Sequence, residues 1–169
     1  MKLIRPDQVS GMNIHYKFYS LEYFLESQMR AGFKTIELWA GSPHFFLSNL
    51  EYDDCKKVSK MARERGLTIQ VITPENCTVP YQFAAGDPDL YAKSFEYFKK
   101  GLDAGEELGC KVMAVHSGRG YLNEDREEGW NGVATCWHGW LIMPAQRALP
   151  LLWNPFARMR PIWQLLLMM

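Results

Sequence analysis

The sequence predicts an α/β fold: four consecutive βα units over residues 1–130, the N-terminal half of a (β/α)8 TIM barrel, then an aberrant apolar C-terminal tail over 131–169. Three observations predict it. Strand-type and helix-type apolar patterns alternate at roughly 30-residue spacing, the rhythm of parallel strands joined by helical crossovers. Capping residues stand where those helices should begin and end. Asp, Glu and Lys disappear after residue 130, leaving only Arg147, Arg158 and Arg160, and this composition shift is the single candidate boundary in the chain.

A first strand is expected within residues 10–15. Ser20 is placed to cap a helix in which Leu21, Phe24, Leu25 and Met29 recur at helical spacing up to Gly32. Residues 35–39 (TIELW) form the second strand. A second helix is expected from about Tyr52 to Arg65, with Cys55, Val58, Met61 and Ala62 inward and Gly66 as its C-cap. Residues 67–72 are the third strand. Asp87-Pro88 supplies an N-cap and an N1 proline for a third helix whose apolar face includes Leu90, Phe95, Phe98, Leu102 and Leu108, ended by Gly109. Residues 111–115 are the fourth strand, and residues 123–130 are the polar start of a fourth helix. Four such units are half of a ~250-residue barrel. An open doubly wound sheet is the rival, but no G-x-G-x-x-G follows the first strand, which weakens its dinucleotide-binding version.

The formal net charge is zero, so the total shows no footprint of nucleic acid or of an anionic membrane. Cys55, Cys77, Cys110 and Cys136 form no C-x-x-C pair and no zinc spacing, and Lys2, Arg5 and Asp7 interrupt any apolar leader. A cytoplasmic protein with free thiols is expected.

Function in a parallel barrel gathers where strands end. The expected strand ends offer His15; Glu37, Trp39 and, in the following loop, His44; Thr73, Glu75, Asn76 and then Tyr81; and His116, Ser117, Arg119 and Tyr121. Trp39, His44, Glu75 and His116 are the candidate substrate-binding residues. His15, Glu37, Tyr81 and Tyr121 are candidates for lining the same site. Each has a structural alternative: a strand-end histidine can be a hydrogen-bonded support, a carboxylate inside an apolar strand needs a buried partner, and Trp39 can be plain core.

The segments IELWAGSPH (36–44), ITPENCTVPYQ (72–82) and AVHSGRGY (114–121) resemble, in order and spacing, loop motifs of fructoselysine 3-epimerase-like proteins. These belong to the xylose isomerase-like TIM barrels, with psicose and tagatose 3-epimerases and endonuclease IV as wider relatives. The resemblance covers about residues 10–130. It implies a sugar or sugar-phosphate isomerase or epimerase that moves a proton beside a carbonyl, and a divalent metal, Mn²⁺ or Co²⁺, on the sugar oxygens. It also implies that His116 lines the site. The metal ligands of such enzymes come from strands five to eight, none of which is recognisable here, so no metal or catalytic residue is assigned and the chain is expected to be inactive as written. A small-molecule sugar is the implied partner. An endonuclease IV-like fragment and a non-catalytic half-barrel interaction module are the alternatives; zero net charge and the lack of a basic stripe weigh against the first.

The tail holds no Asp, Glu or Lys, but four of the six Trp and four of the nine Pro. Its longest uncharged stretch, 131–146, is shorter than the ~20 residues a membrane span needs, and Pro144, Pro150, Pro155 and Pro161 interrupt any continuous helix. The genetic code suggests a frameshift instead. If each displaced codon takes the last base of one residue and the first two of the next, Trp137-His138 and Met143-Pro144 must both give Ala. Trp153-Asn154 must give Glu, Trp163-Gln164 Ala and Met168-Met169 Asp. The remaining junctions permit an amphipathic helix of mixed charge and then a strand ending M-E-P, like the fourth helix and fifth strand of the family resembled. Half a barrel also leaves strands one and four with open edges, so self-association is expected unless the apolar tail covers one.

Overall fold

The computed structural model describes residues 4, 8–47, 54–76, 81–116, 120–121, 123–142 and 151–153. Ser10–Met12 form β1, followed by a 3-10 turn over Asn13–Tyr16. Then come α1 (Leu21–Arg30), β2 (Thr35–Ala40), α2 (Cys55–Arg63), β3 (Thr68–Pro74), α3 (Pro88–Leu108), β4 (Val112–Val115), α4 (Arg126–Ile142) and β5 (Leu151–Trp153). The strands lie in the order β1-β2-β3-β4-β5, every neighbouring pair parallel. The four expected units are therefore present as a partial barrel.

The caps explain the boundaries. Ser20 Oγ accepts from the Tyr23 N–H at 3.2 Å, and Asp87 Oδ1 accepts from Asp89 and Leu90 at 2.9 and 3.1 Å with Pro88 at N1. Gly109 (φ 73°) is the left-handed C-cap of α3, whereas α2 ends at Arg63 with Glu64 as its cap, short of the expected Arg65 and Gly66, and Gly66 (φ 68°) turns the chain two residues after that cap. Beyond them the Leu67 N–H reaches back to Ala62 O at 3.0 Å and the Cys110 N–H to Gly105 O at 2.9 Å.

Three expectations need correction. The second helix begins at Cys55 rather than Tyr52, because the Asp54 carboxylate accepts from the N–H groups of Lys56 and Lys57 at 2.8 and 3.3 Å and so starts the helix there. The first strand stops at Met12, and His15 is carried on an exposed turn. On α1 it is Gln28, 5% exposed, that turns inward, while Met29 is 45% exposed. A Cβ on Gly11 would lie 1.8 Å from Gln28 Oε1, so a side chain at position 11 would evict that glutamine.

Ile36, Leu38 and Ala40 of β2 point towards the helices and join one core with Phe24, Leu25, Val58 and Leu102. The alternate residues Thr35 and Glu37 stay half-buried on the opposite, inner face, where Ser10 Oγ meets Thr35 Oγ1 at 2.7 Å. The tail is not outside this architecture. α4 runs past residue 131 without a break, and β5 pairs with β4 with Val115 opposite Trp153, covering one of the two edges expected to be open.

Leu38→Ala should cost about 2–5 kcal/mol in urea-induced unfolding, since it empties a fully buried site. Met29→Ala should change stability by less than about 1 kcal/mol. A large loss from Met29→Ala would restore the helix face expected from the sequence.

Candidate functional site

At the C-terminal edge of the sheet, side chains link the four strand ends in series. Asn13, fully buried, follows β1. Its Oδ1 accepts from the Trp39 N–H at 2.6 Å, and its Nδ2 donates to Trp39 O at 3.0 Å and to His44 Nδ1 at 3.0 Å. The amide thus pairs with the peptide of Trp39 as the next residue of a strand would. Since the carbonyl of Tyr19 can only accept, His44 Nε2 carries the proton and donates to it at 2.7 Å. His44 is then a neutral tautomer with both nitrogens engaged.

The Trp39 indole N–H donates in turn to Glu75 Oε2, just beyond β3. Trp39 is 7% and Glu75 4% exposed. Next in sequence, Asn76 donates from Nδ2 to His116 O at 2.8 Å, beyond β4. One pair lies deeper on the same face: Thr73 Oγ1 donates to Glu37 Oε1 at 2.5 Å. Glu37 is therefore a carboxylate with a hydroxyl partner, half-buried within its strand.

Of the residues expected at the site, Trp39, His44, Glu75 and His116 meet at this edge, and Glu37 sits one step inside it. His44 occupies the place of a support: its ring is spent on holding two loops together. Tyr81 stacks on Tyr97 at 4.0 Å and 9°, as part of the core. His15 and Tyr121 are both exposed. Ser117 and Arg119 lie outside the described residues. Asn13 and Tyr97 were missed by sequence reasoning; neither has a local pattern that would reveal it. Burial, and then the charge of Glu75, push the Tyr97 phenol well above its ordinary value, so it stays protonated. Burial also pushes the Cys110 thiol up to about 12, with Cys55 a second contributor, which makes it a poor nucleophile.

The divalent metal implied by the resemblance does not fit the donors present. Among the described residues no group of three His, Cys, Asp or Glu comes together. Glu37 and Glu75 already serve a hydroxyl and an indole. A separate groove of about 310 Å³ lies between the starts of α1 and α2, lined by Tyr19, Ser20, Pro43, His44, Asp54 and Lys57 among others; it shares only His44 with the edge. Among the described residues no helix is long and apolar enough to cross a membrane.

A parallel half-barrel with its polar side chains gathered at the C-terminal edge defines a class of (β/α)8 proteins. The comparisons narrow it. A family described as xylose isomerase-like TIM barrel matches residues 29–152, and the chain belongs to that family. It is 27% identical over 101 residues to fructoselysine 3-epimerase of Escherichia coli O157:H7, covering 58% of this chain and 37% of that protein. It is also 27% identical over 114 residues to a protein named probable endonuclease 4 of Thermoplasma acidophilum, covering 68% and 34%. The chain thus spans little more than a third of the length of these relatives. Among solved structures, D-psicose 3-epimerase with D-tagatose from Clostridium cellulolyticum H10 superposes with a TM-score of 0.60 at 15% identity, over 77% of this chain and 45% of that one. For 3-keto-D-glucoside 4-epimerase from E. coli the TM-score is 0.69 at 13% identity, over 90% and 57%. At these identities the structures speak for the fold alone.

Asn13→Ala should lower stability by at least about 2 kcal/mol, because it strands the buried Trp39 peptide and His44 Nδ1 together. It should also flatten the near-ultraviolet circular dichroism of the tryptophans before global unfolding begins. A variant as stable as the parent, with an unchanged spectrum, would remove Asn13 from its place in this series.

Proposed function

We propose that this edge is the N-terminal half of a sugar-binding site, in a protein of the isomerase or epimerase kind that moves a proton beside a carbonyl. The observation that supports it best is the Trp39–Glu75 pair: a carboxylate almost wholly buried, held by an indole N–H, at the end of the sheet where such barrels place their chemistry. In this reading the Trp39 ring is the platform for a sugar face. Glu75 and His116 orient hydroxyls, while His44 and Asn13 hold the platform still.

Proton transfer at carbon needs an acid and a base and a stabilised oxyanion. A divalent ion would supply that stabilisation when bound. Among the described residues no donor set for it comes together, so we assign this chain sugar binding without turnover, in a reducing compartment that keeps Cys55 and Cys110 as thiols. The relative named as an endonuclease raises a nuclease reading, but the zero net charge of this chain gives it little support. β1 has β2 as its single neighbour in the described sheet, so self-association through that edge belongs to the proposal.

Saturation-transfer NMR with ketohexoses, a fructosamine and a sugar phosphate should show weak binding of at least one, reduced severalfold by Trp39→Leu and by Glu75→Gln. No product should form with added Mn²⁺ or Co²⁺. Turnover by this chain, or binding unaffected by both substitutions, would contradict the proposal.

A further inference from the structure

Histidine is the side chain that ordinarily changes charge between about pH 5 and 8. In the series of strand-end contacts, the ring of His44 is where such a change reverses a hydrogen bond. The orientation of Asn13 is fixed first, by the peptide of Trp39: Oδ1 accepts from its N–H at 2.6 Å and Nδ2 donates to its carbonyl at 3.0 Å. Turned round, the amide would set donor against donor and oxygen against oxygen. Asn13 Nδ2 must therefore face His44 Nδ1, which must accept, at 3.0 Å. On its other side the ring donates from Nε2 to Tyr19 O at 2.7 Å. One proton in one position fits this setting. An imidazolium carries an N–H on both nitrogens. Its Nδ1–H would meet the N–H of an amide that is fully buried and unable to turn away.

The charged ring has room to leave in one direction. His44 lines the groove of about 310 Å³ between the starts of α1 and α2. The titratable groups that share that groove are Tyr19 before α1, Glu22 on α1, Asp54 capping α2, and Lys57 on α2. On the side of the edge, Glu75 is engaged by the Trp39 indole. The turn that carries His44 also supports that indole. The N–H groups of His44 and Phe45 both reach Gly41 O, at 3.2 and 3.3 Å. A Cβ on Gly41 would stand 2.1 Å from Trp39 Cζ2, so the indole rests directly on the turn. Movement of His44 thus acts on Trp39 twice, through the Asn13 amide that holds its peptide and through Gly41 beneath its ring.

We infer that His44 is an acid-sensitive latch on the C-terminal edge: once protonated it leaves Asn13 for the groove, and the contact between Trp39 and Glu75 loosens while the core stays folded. The closed state holds the ring neutral and the open state takes up the proton. Acid therefore favours the open state, and raising the pH restores the closed one. The core beneath is held by apolar packing of Ile36, Leu38 and Ala40 against Phe24, Val58 and Leu102, which no proton disturbs. The latch rests on these contacts alone and is independent of the sugar reading.

The test titrates the 169-residue chain from about pH 8 to 5. A variant with His15, His116 and His138 all replaced by Gln keeps His44 as its sole imidazole. Its long-range ¹H–¹⁵N spectrum should show the Nε2–H tautomer at the upper end and an imidazolium at the lower. Along the same curve, the Trp39 indole N–H, assigned through Trp39→Phe, should reversibly lose its downfield shift, with the far-ultraviolet circular dichroism unchanged. Glutamine in place of His44 can accept from Asn13 and donate to Tyr19 O with no proton to gain. His44→Gln should therefore hold the indole resonance still over the whole range. Glu75→Gln should keep a proton-linked movement of the indole, which excludes the carboxylate as its source. A His44 ring that stays neutral to the lowest pH overturns the latch. So does a ring that charges while the indole stays in place, or an indole that moves equally in His44→Gln. The comparison of ring and indole within one chain decides the matter even where His44→Gln folds poorly.

Discussion

The side-chain amide of Asn13 has two N–H groups and a carbonyl to satisfy in a fully buried place, and it satisfies them all on two residues. Its oxygen and one N–H take the peptide of Trp39, and its other N–H takes His44. A polar group buried this completely is costly unless paired, so the arrangement admits little slack. With the Trp39 backbone fixed, the indole N–H is fixed, and with it the carboxylate of Glu75. Through Glu75 and Asn76 the constraint reaches His116 on the far strand. The sheet below is held by apolar packing of Ile36, Leu38 and Ala40 against α1, α2 and α3. The geometry of its C-terminal edge depends on that one amide.

How much of this was legible in the sequence follows the range of the interactions. Ser20, Asp87-Pro88 and Gly109 act within a turn of their own position, and they mark their helix ends correctly, while Gly66 lies two residues past the cap of α2 at Glu64. Asp54 also marks its helix end but was overlooked, because the apolar pattern suggested a longer helix. On α1, Leu21, Phe24 and Leu25 face inward as expected, and only Met29 was misplaced, for a different reason. Gln28 is buried because Gly11, on another element, leaves room for its amide, and no periodicity within α1 records that. The strand-end rule placed Trp39, Glu75 and His116 at the C-terminal edge, which is where they lie. It could not find Asn13, or tell that His44 is a support, because those roles come from contacts between segments 25 to 31 residues apart.

The tail shows the limit of composition as a guide. A loss of charge marks a boundary in the residues, yet α4 and β5 continue the plan of alternating elements through it. Parallel pairing asks of β5 only backbone hydrogen bonds and a tolerable inner face, and Leu151–Trp153 meets the first. A strand can be placed by its backbone while the chemistry at its end is wrong for the site it borders. Family membership, which rests on residues 29–152, and activity, which rests on a few side chains at strand ends, are separable in such a chain.

The interaction at the centre of the edge can be observed directly in a ¹H–¹⁵N spectrum of the 169-residue chain. The indole N–H of Trp39, assigned through Trp39→Phe, donates to a buried carboxylate. It should resonate downfield of the other indoles and exchange slowly with deuterium. In Glu75→Gln it should move upfield, and in Asn13→Ala it should exchange at least about tenfold faster. An indole N–H of Trp39 that exchanges as fast as one in water, or that ignores both substitutions, would show that the strand ends are not tied in this way.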